Sequence, residues 1–328
     1  MPELPEVEVV RRGLAAHTIG AVIDTVTVRD RRSLRRHLAG HEDFIQQLEG
    51  ATIADICRRG KYLWLLLAQT PEKAACGEVE NLALVIHLGM SGQVLLKEPT
   101  MPDEKHQKIV LHLSDATDET GTRTDLTMRF VDQRIFGGMH LDTLVPTTDR
   151  HGTPLPAASS STLNLPLVPA SVAHIARDPL DPHFEFSIFR QRMLKTNTGI
   201  KKLLLDQSSI SGVGNIYADE ALWRARLHYA KPAKNISATQ ARQLIEAATD
   251  VMRDALAQGG TSFDALYVNV NGESGYFDRS LKAYGQAGKP CPRCLGDGRT
   301  SIMVREPFGG RSSYRCPHCQ RKPRGVKP

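Results

Sequence analysis

Three stretches of this 328-residue chain have residue types and spacing that could do chemistry. The first is Met1-Pro2-Glu3-Leu4-Pro5-Glu6-Val7-Glu8, in which removal of Met1 would leave Pro2 as a free secondary amine. An α-amino group has a pKa near ~8, so much of it is the neutral nucleophile at neutral pH. Attack of such an amine on a sugar or carbonyl carbon gives a cationic iminium, and Glu3 beside it is placed to act as general acid or base. The same octapeptide also reads as no more than a capped helix start. Pro5 suits the first turn, and Glu6 and Glu8 suit the positive helix end.

The second stretch is Cys291-Pro-Arg-Cys294 with Cys316-Pro-His-Cys319, two Cys-x-x-Cys pairs separated by 21 residues. Four thiolates on two tight turns match a zinc ribbon, with one structural Zn2+ whose closed shell leaves no position for water. Disulfides are the competing reading, disfavoured where no secretion signal is visible. Cys57 and Cys76 lack comparable partners and read as a buried small apolar residue and a loop thiol. The third stretch, Ser211-Gly-Val-Gly-Asn-Ile-Tyr217, is a glycine turn between helical segments. Such a turn can aim backbone N–H groups at a phosphate, a weak signal by itself.

These residues must be positioned by ordinary elements. Leu4, Val7, Val10 and Leu14 recur at helical spacing, which predicts a helix over 5–17 ended by Gly20. Short β-branched or alternating runs at 22–28, 53–57, 62–67, 82–88, 93–97, 108–113 and 125–131 suit an antiparallel sandwich or barrel. Residues 33–48 break the pattern and are expected to be partly helical. Stretches 69–81, 114–124 and 147–171 read as surface insertions, the last as a proline- and serine-rich linker. After Asp181 the pattern turns helical: 186–194, 199–206, a helix through 221–225, and one from the Ser237-x-x-Gln240 capping box to Gly259-Gly260.

Composition sets bounds. The net charge is +6, but residues 282–328 hold 11 Lys and Arg against Asp297 and Glu306, so the rest of the chain is slightly acidic. A basic end on a near-neutral body suggests phosphate contacts, with a solvated basic tail as the bland reading. The longest strongly apolar run, residues 62–68, is too short to span a bilayer. The acidic start is unlike a signal peptide, so the expectation is a cytoplasmic protein without a membrane partner.

MPELPEVE resembles the N-terminus of bacterial formamidopyrimidine-DNA glycosylases, repair enzymes that excise oxidised purines. Further segments are similar to that family's motifs, in the family's order, from Met1 to Gln320. By themselves Lys61 reads as a strand-end surface lysine, Met90 as core and His106 as unremarkable. The resemblance gives them roles. Lys61, in Arg58-Arg-Gly-Lys61-Tyr-Leu, matches a lysine that projects into the active site, contacts phosphate and serves β-elimination. His87-Leu-Gly-Met90-Ser-Gly is similar to the loop whose methionine fills the gap left by an extruded nucleotide. An apolar wedge suits base flipping, because unstacking a base costs a few kcal/mol.

Arg134 and Phe136, in Val131-Asp-Gln-Arg-Ile-Phe-Gly137, match the other two wedge residues. The arginine can donate to the orphaned partner base and the ring can stack on it. Ile135 stands where the family commonly has arginine or threonine. His106 and Asn215 match phosphate-binding residues. Thr261-Ser-Phe and residues 268–277 resemble the loop that covers the extruded base. Arg311 matches an arginine that reaches the phosphates flanking the lesion and serves δ-elimination. The spacing between the cysteine pairs is longer than usual in the family, and the extra residues are expected to extend the hairpin before Arg311.

The implied fold is α+β: an antiparallel β-sandwich with an N-terminal helix over 1–146, a linker or insertion over 147–180, a helix–two-turns–helix domain over 181–284 and a zinc-finger β-hairpin over 285–328. The implied activity is that of a monomeric, bifunctional glycosylase and AP lyase acting on double-stranded DNA that carries oxidised bases or abasic sites. Its lesions would be oxidised purines such as 8-oxoguanine and formamidopyrimidines, removed through a Schiff base at Pro2 with β,δ-elimination. The nearest alternative is the endonuclease VIII-like sister family that removes oxidised pyrimidines. Its N-terminus usually begins Pro-Glu-Gly-Pro-Glu, whereas this chain has Leu4. An alternative of another class is a zinc-ribbon DNA binder that binds abasic sites without cutting.

Overall fold

Helix α1 (Leu4–Thr18) turns its apolar stripe inward: Leu4, Val7, Val10 and Leu14 are all at most 3% exposed. Fully burying such a side chain stabilises by about 1.5–3 kcal/mol. The computed structural model describes residues 2–149, 151–260 and 269–325. It divides the chain into two compact units, Met1–His174 with Gly259–Gly275 and Ile175–Gln258 with Tyr276–Pro328.

The first unit is built on nine antiparallel strands: β1 (Val22–Val28), β2 (Thr52–Arg59), β3 (Tyr62–Ala68), β4 (Leu82–His87), β5 (Gly92–Lys97), β6 (Gln107–Thr117), β7 (Arg123–Asp132), β8 (Gly138–Pro146) and β9 (Leu167–Pro169). Their order is β5-β7-β6-β1-β2-β3-β4-β8-β9. β1 and β2 share a single register pair, Val22 with Thr52, so the sheet turns there into two layers. Ile23, Ile109, Met128 and Phe130 from one layer share a core with Ile56, Leu63, Leu84 and Ile86 from the other. Residues 31–34 form a 3-10 turn and α2 (His41–Leu48) follows, as the break in alternation between 33 and 48 suggested. Strands β8 and β9 carry no comparable alternation and were not expected. The stretch 114–124 extends the β6–β7 hairpin rather than leaving it.

The stretch expected to be a linker is instead folded against β2 and lies within the first unit up to His174. Asp55 is paired across the sheet with Leu66, and Cys57 with Trp64, so these four side chains share the face opposite the core. The Asp55 carboxylate accepts from Ser161 Oγ at 2.6 Å and from the Thr162 and Leu163 N–H groups at 2.8 Å. Arg59 donates to the Ala157 carbonyl, and β9 pairs with β8. This covering explains why residues 62–68 are apolar without alternation: Leu63, Leu65 and Leu67 face the core, and Trp64, Leu66 and Ala68 on the other face are buried too. The segment 71–75 within the first insertion is a short helix, α3 (Pro71–Ala75).

α1 is pinned to β2 by charge. Arg58 Nε lies 2.8 Å from Glu8 Oε2, and Arg11 and Arg12 reach the same carboxylate. Burial alone would raise the Glu8 carboxyl, but Arg58 and Arg11 outweigh it and hold it down at about 2. A depressed folded pKa gives stability that is present above the ordinary value of 4.5 and is lost as pH falls toward 2. Glu8→Ala should therefore cost on the order of 3–5 kcal/mol at pH 7, by leaving the buried Arg58 charge without its carboxylate. The gap between variant and wild type should be full at pH 7 and should close only as the pH is brought down to about 2. Urea unfolding at the two pH values tests this, and equal midpoints at pH 7 would refute it.

The second unit carries α4 (Phe186–Leu194), α5 (Ile200–Leu205), α6 (Asn215–Arg224), α7 (Ala238–Ala257) and α8 (Pro292–Gly296), then β10 (Val304–Phe308) and β11 (Arg311–Arg315). The α7 capping box forms as the sequence suggested: Gln240 N–H donates to Ser237 Oγ at 3.2 Å, and Ser237 N–H to Gln240 Oε1 at 3.3 Å. Glu220 of α6 gathers the Lys282, Ala283 and Tyr284 N–H groups, the shortest at 2.7 Å, and so fixes the chain entering the cysteine module. β10 and β11 are joined by Gly309 and Gly310 alone, both at positive φ (59° and 76°), a two-residue turn that glycine makes without strain. Residues 297–303 connect α8 to β10.

Candidate active site and metal centre

Three connections leave the sheet of the first unit at the same end. β2 and β3 close at Arg59–Tyr62 around Lys61, His87 pairs with Gly138, and Gly92 pairs with Asp132. Lys61, Met90, Arg134 and Phe136 therefore sit on neighbouring turns. Asp132 N–H donates to the His106 carbonyl at 3.1 Å, which brings His106, at φ 69°, to the same end. α1 runs back along β2, with Arg11 donating to Ile56 O and Glu8 beside Arg58, so its start heads toward the Gly60–Lys61 turn. Pro2 and Glu3 at that start are both buried, and Glu3 N–H donates to Glu6 Oε2 at 2.9 Å as half of a capping box.

Met90 and Phe136 stand out of the surface, 40% and 51% exposed, and Arg134 is exposed beside them. Their turns are packed backbone on backbone. A Cβ at Gly89 would lie 2.4 Å from the Gly137 nitrogen, and one at Gly137 would lie 2.6 Å from the His87 carbonyl oxygen, so only glycine fits. The fully buried Asp132 carboxylate ties the two turns together. It accepts from Ser91 Oγ at 2.5 Å, from Arg134 N–H at 3.1 Å and from Gly137 N–H at 2.7 Å. Burial, followed by the charges of Arg36, Arg35 and Lys61, lowers His87 to about 4. Its ring is uncharged near pH 7, and Nδ1 accepts the Gly89 N–H at 3.1 Å.

Of the residues similar to a lesion-covering loop, 261–268 lie outside the described residues. The returning arm is held to the first unit: Leu96 N–H donates to the Val270 carbonyl at 2.8 Å, and Lys97 Nζ to the Asn271 carbonyl at 3.1 Å.

In the second unit Asn215 begins α6 and donates Nδ2 to the Ser312 carbonyl at 3.1 Å. The same carbonyl accepts Lys201 Nζ at 2.9 Å, and Lys201 forms a buried 2.6 Å ion pair with Asp219. Asp219 in turn accepts the Tyr314 N–H at 3.0 Å. These contacts clamp β11 along its length and leave Arg311 exposed at its start, next to the glycine turn. Nothing in the chain singles out Lys201 or Asp219, because the β11 groups they hold lie about a hundred positions away.

Cys291, Cys294, Cys316 and Cys319 are free thiols whose sulfurs all lie within 4.8 Å of one another. Tetrahedral Zn2+ at about 2.3 Å from each sulfur spaces the sulfurs by about 3.8 Å. Here Cys294 is 3.6 Å from Cys316 and 3.3 Å from Cys319, and Cys291 is 4.0 Å from Cys319. Trp223 Nε1–H points at Cys291 Sγ from 3.5 Å and Cys319 N–H at Cys316 Sγ from 3.4 Å, donors that suit thiolates. The donor set fits zinc. Trp223, Ala283 and Met303 pack around the four cysteines as a small core.

Comparison with known proteins agrees. Residues 1–139 match the family model for the formamidopyrimidine-DNA glycosylase N-terminal domain, and residues 175–265 match the model for that enzyme's H2TH domain. The formamidopyrimidine-DNA glycosylase of Rhodococcus jostii is 52% identical over 99% of this chain and 97% of its own, and that of Kineococcus radiotolerans 50% over 99% of each. Among solved structures, Lactococcus lactis Fpg bound to abasic-site DNA superposes with a TM-score of 0.74 at 26% identity, covering 98% of this chain and all of that one. The same enzyme bound to Fapy-dG DNA gives 0.73 at 27%, and MutM bound to DNA with carbocyclic 8-oxo-G gives 0.74 at 27%, with the same coverage. Sheet, helical unit and cysteine hairpin together are those of a DNA-repair glycosylase. The chain belongs to the formamidopyrimidine-DNA glycosylase family.

Proposed function

We propose that this protein is a bifunctional DNA glycosylase and AP lyase that removes oxidised purines from double-stranded DNA, with the Pro2 amine as nucleophile. The observation that supports it most is the gathering of Lys61, Met90, Arg134 and Phe136 on adjacent turns at the sheet end toward which the start of α1 runs. DNA bound to the relatives carries abasic sites, Fapy-dG and 8-oxo-G, which favours the purine reading over the pyrimidine one.

In this mechanism Met90, Arg134 and Phe136 occupy the space that the flipped nucleotide leaves. The Pro2 nitrogen lone pair attacks C1′, the glycosidic bond breaks, and the base departs with that electron pair and a proton. Glu3 assists the proton transfer. Opening of the sugar at C1′–O4′ gives the iminium, which acidifies C2′. Loss of the C2′ proton expels the 3′ phosphate, with Lys61 assisting this β-elimination. A second elimination, with Arg311 on the flanking phosphates, expels the 5′ phosphate and leaves a one-nucleotide gap. His106 and Asn215 hold phosphates and orient the strand. Zinc at the four cysteines, when bound, organises the hairpin that presents Arg311 and takes no part in the chemistry.

Duplexes that each carry one defined lesion test the proposal. Excision of 8-oxoguanine and formamidopyrimidines should exceed that of oxidised pyrimidines by at least about tenfold, with both strand-cleavage steps following. The reverse order would assign the protein the pyrimidine substrate class, and binding without any cleavage would assign it no catalysis.

A further inference from the structure

The turn that carries Arg134 and Phe136 holds a conformation its sequence disfavours. Ile135 sits at φ 55°, a left-handed geometry that β-branched residues rarely adopt. Such a residue persists only where its surroundings over-determine it. The Asp132 carboxylate holds the N–H groups at the two ends of the turn. The carbonyls are held from outside it. Arg35 NH1 donates to the Ile135 carbonyl at 2.8 Å and to the Gly137 carbonyl at 3.1 Å, and Arg35 NH2 donates to the Phe136 carbonyl at 2.6 Å. One guanidinium thus accounts for three consecutive carbonyls.

Arg35 is itself held in place. The segment that bears it abuts β8, where a Cβ at Gly138 would lie 2.3 Å from the Ser33 carbonyl oxygen. On one side Asp30 accepts from Lys108 Nζ at 3.2 Å. On the other, His37 accepts the Leu141 N–H at 3.3 Å and pairs with Asp43 at 2.9 Å.

We propose that Arg35 is a positioning residue for recognition of the base opposite the lesion, clamping the Ile135–Gly137 carbonyls so that Arg134 and Phe136 are presented in one fixed arrangement. This rests on the wedge role given to those two residues above. A rigid turn can donate to one base edge and withhold from another, whereas a loose turn accommodates all. Only a planar fork with several N–H donors spans three carbonyls, and a lysine ammonium in the same place carries the charge without that geometry. The obvious rival is that the exposed Arg35 simply contacts a DNA phosphate.

The test uses the full-length protein with Arg35→Ala, Arg35→Lys and Arg134→Ala. In the absence of DNA, amide exchange of the peptide spanning 134–137 should quicken at least about tenfold in both Arg35 variants, with little change elsewhere. On duplexes pairing 8-oxoguanine with each of the four bases, the ratio of the fastest to the slowest excision should fall about tenfold in all three variants. Cutting of a preformed abasic site should stay within about twofold of wild type in the Arg35 variants. Unchanged exchange in the Arg35 variants would overturn the clamp. Recovery of wild-type behaviour by Arg35→Lys would overturn it too, and would make Arg35 a phosphate contact. Faster exchange in the Arg35 variants, with an undisturbed ratio there and in Arg134→Ala, would show the wedge role itself to be mistaken.

Discussion

Borohydride added during turnover is expected to leave the DNA covalently bound to the mature N-terminus at Pro2. Reduction converts an iminium into a stable amine at whichever nitrogen attacked, so peptide mapping distinguishes Pro2 from Lys61, the nearest competing amine. The mechanism also requires that Met1 be gone. While Met1 is attached, the Pro2 nitrogen belongs to an amide whose lone pair is delocalised into the carbonyl. A preparation that retains Met1 should therefore lose trapping and base excision by at least about 10³-fold, within the range seen when a nucleophile is deleted. Pro2→Gly should keep some trapping, since a glycine terminus is still an amine. A cross-link at Lys61, or full activity with Met1 in place, would sink this mechanism.

Replacing Cys316 by serine should have an effect of similar size on binding. Cys316 is fully buried at the foot of β11, where its N–H donates to Gln320 Oε1 at 2.9 Å. Its loss removes one of four thiolates from a module with only a small core of its own. In zinc modules of this size, metal binding supplies on the order of 10–16 kcal/mol of apparent folding free energy. The variant should lose zinc by metal analysis and bind lesion duplex at least about 10²-fold more weakly. The melting of the first unit should be unchanged, because among the described residues its core shares none with the cysteine module. Normal lesion binding without metal would show that zinc is dispensable.

What the sequence made legible was local. The α1 stripe, seven strands, the α7 capping box and the paired cysteines all declare themselves within about twenty residues. Residues 147–171 did not, because proline and serine mark exposed coil unless something distant claims it. Here that something is Asp55, about a hundred positions earlier, whose carboxylate orders three successive residues. Among the candidate site residues, types and motifs were plain from the chain. Their supports Arg35, Lys201 and Asp219 were not, since each acts on a turn or strand reached only through the fold.

The capping box at the head of α1 has a consequence for how the amine is aimed. Glu3 is the last residue fixed by the helix, through its N–H bond to Glu6, and Pro2 is the single residue beyond it. With the peptide planar and the pyrrolidine ring closed, one soft torsion, ψ of Pro2, separates the reactive nitrogen from a rigid element. A lysine ammonium reaches its target through a flexible stem whose ordering costs up to about 2 kcal/mol. The proline amine behaves instead like the tip of a fixed rod. Its accuracy is inherited from the seating of Leu4 and Val7 in the core, so a shift of that helix would misdirect the attack without altering any reacting group.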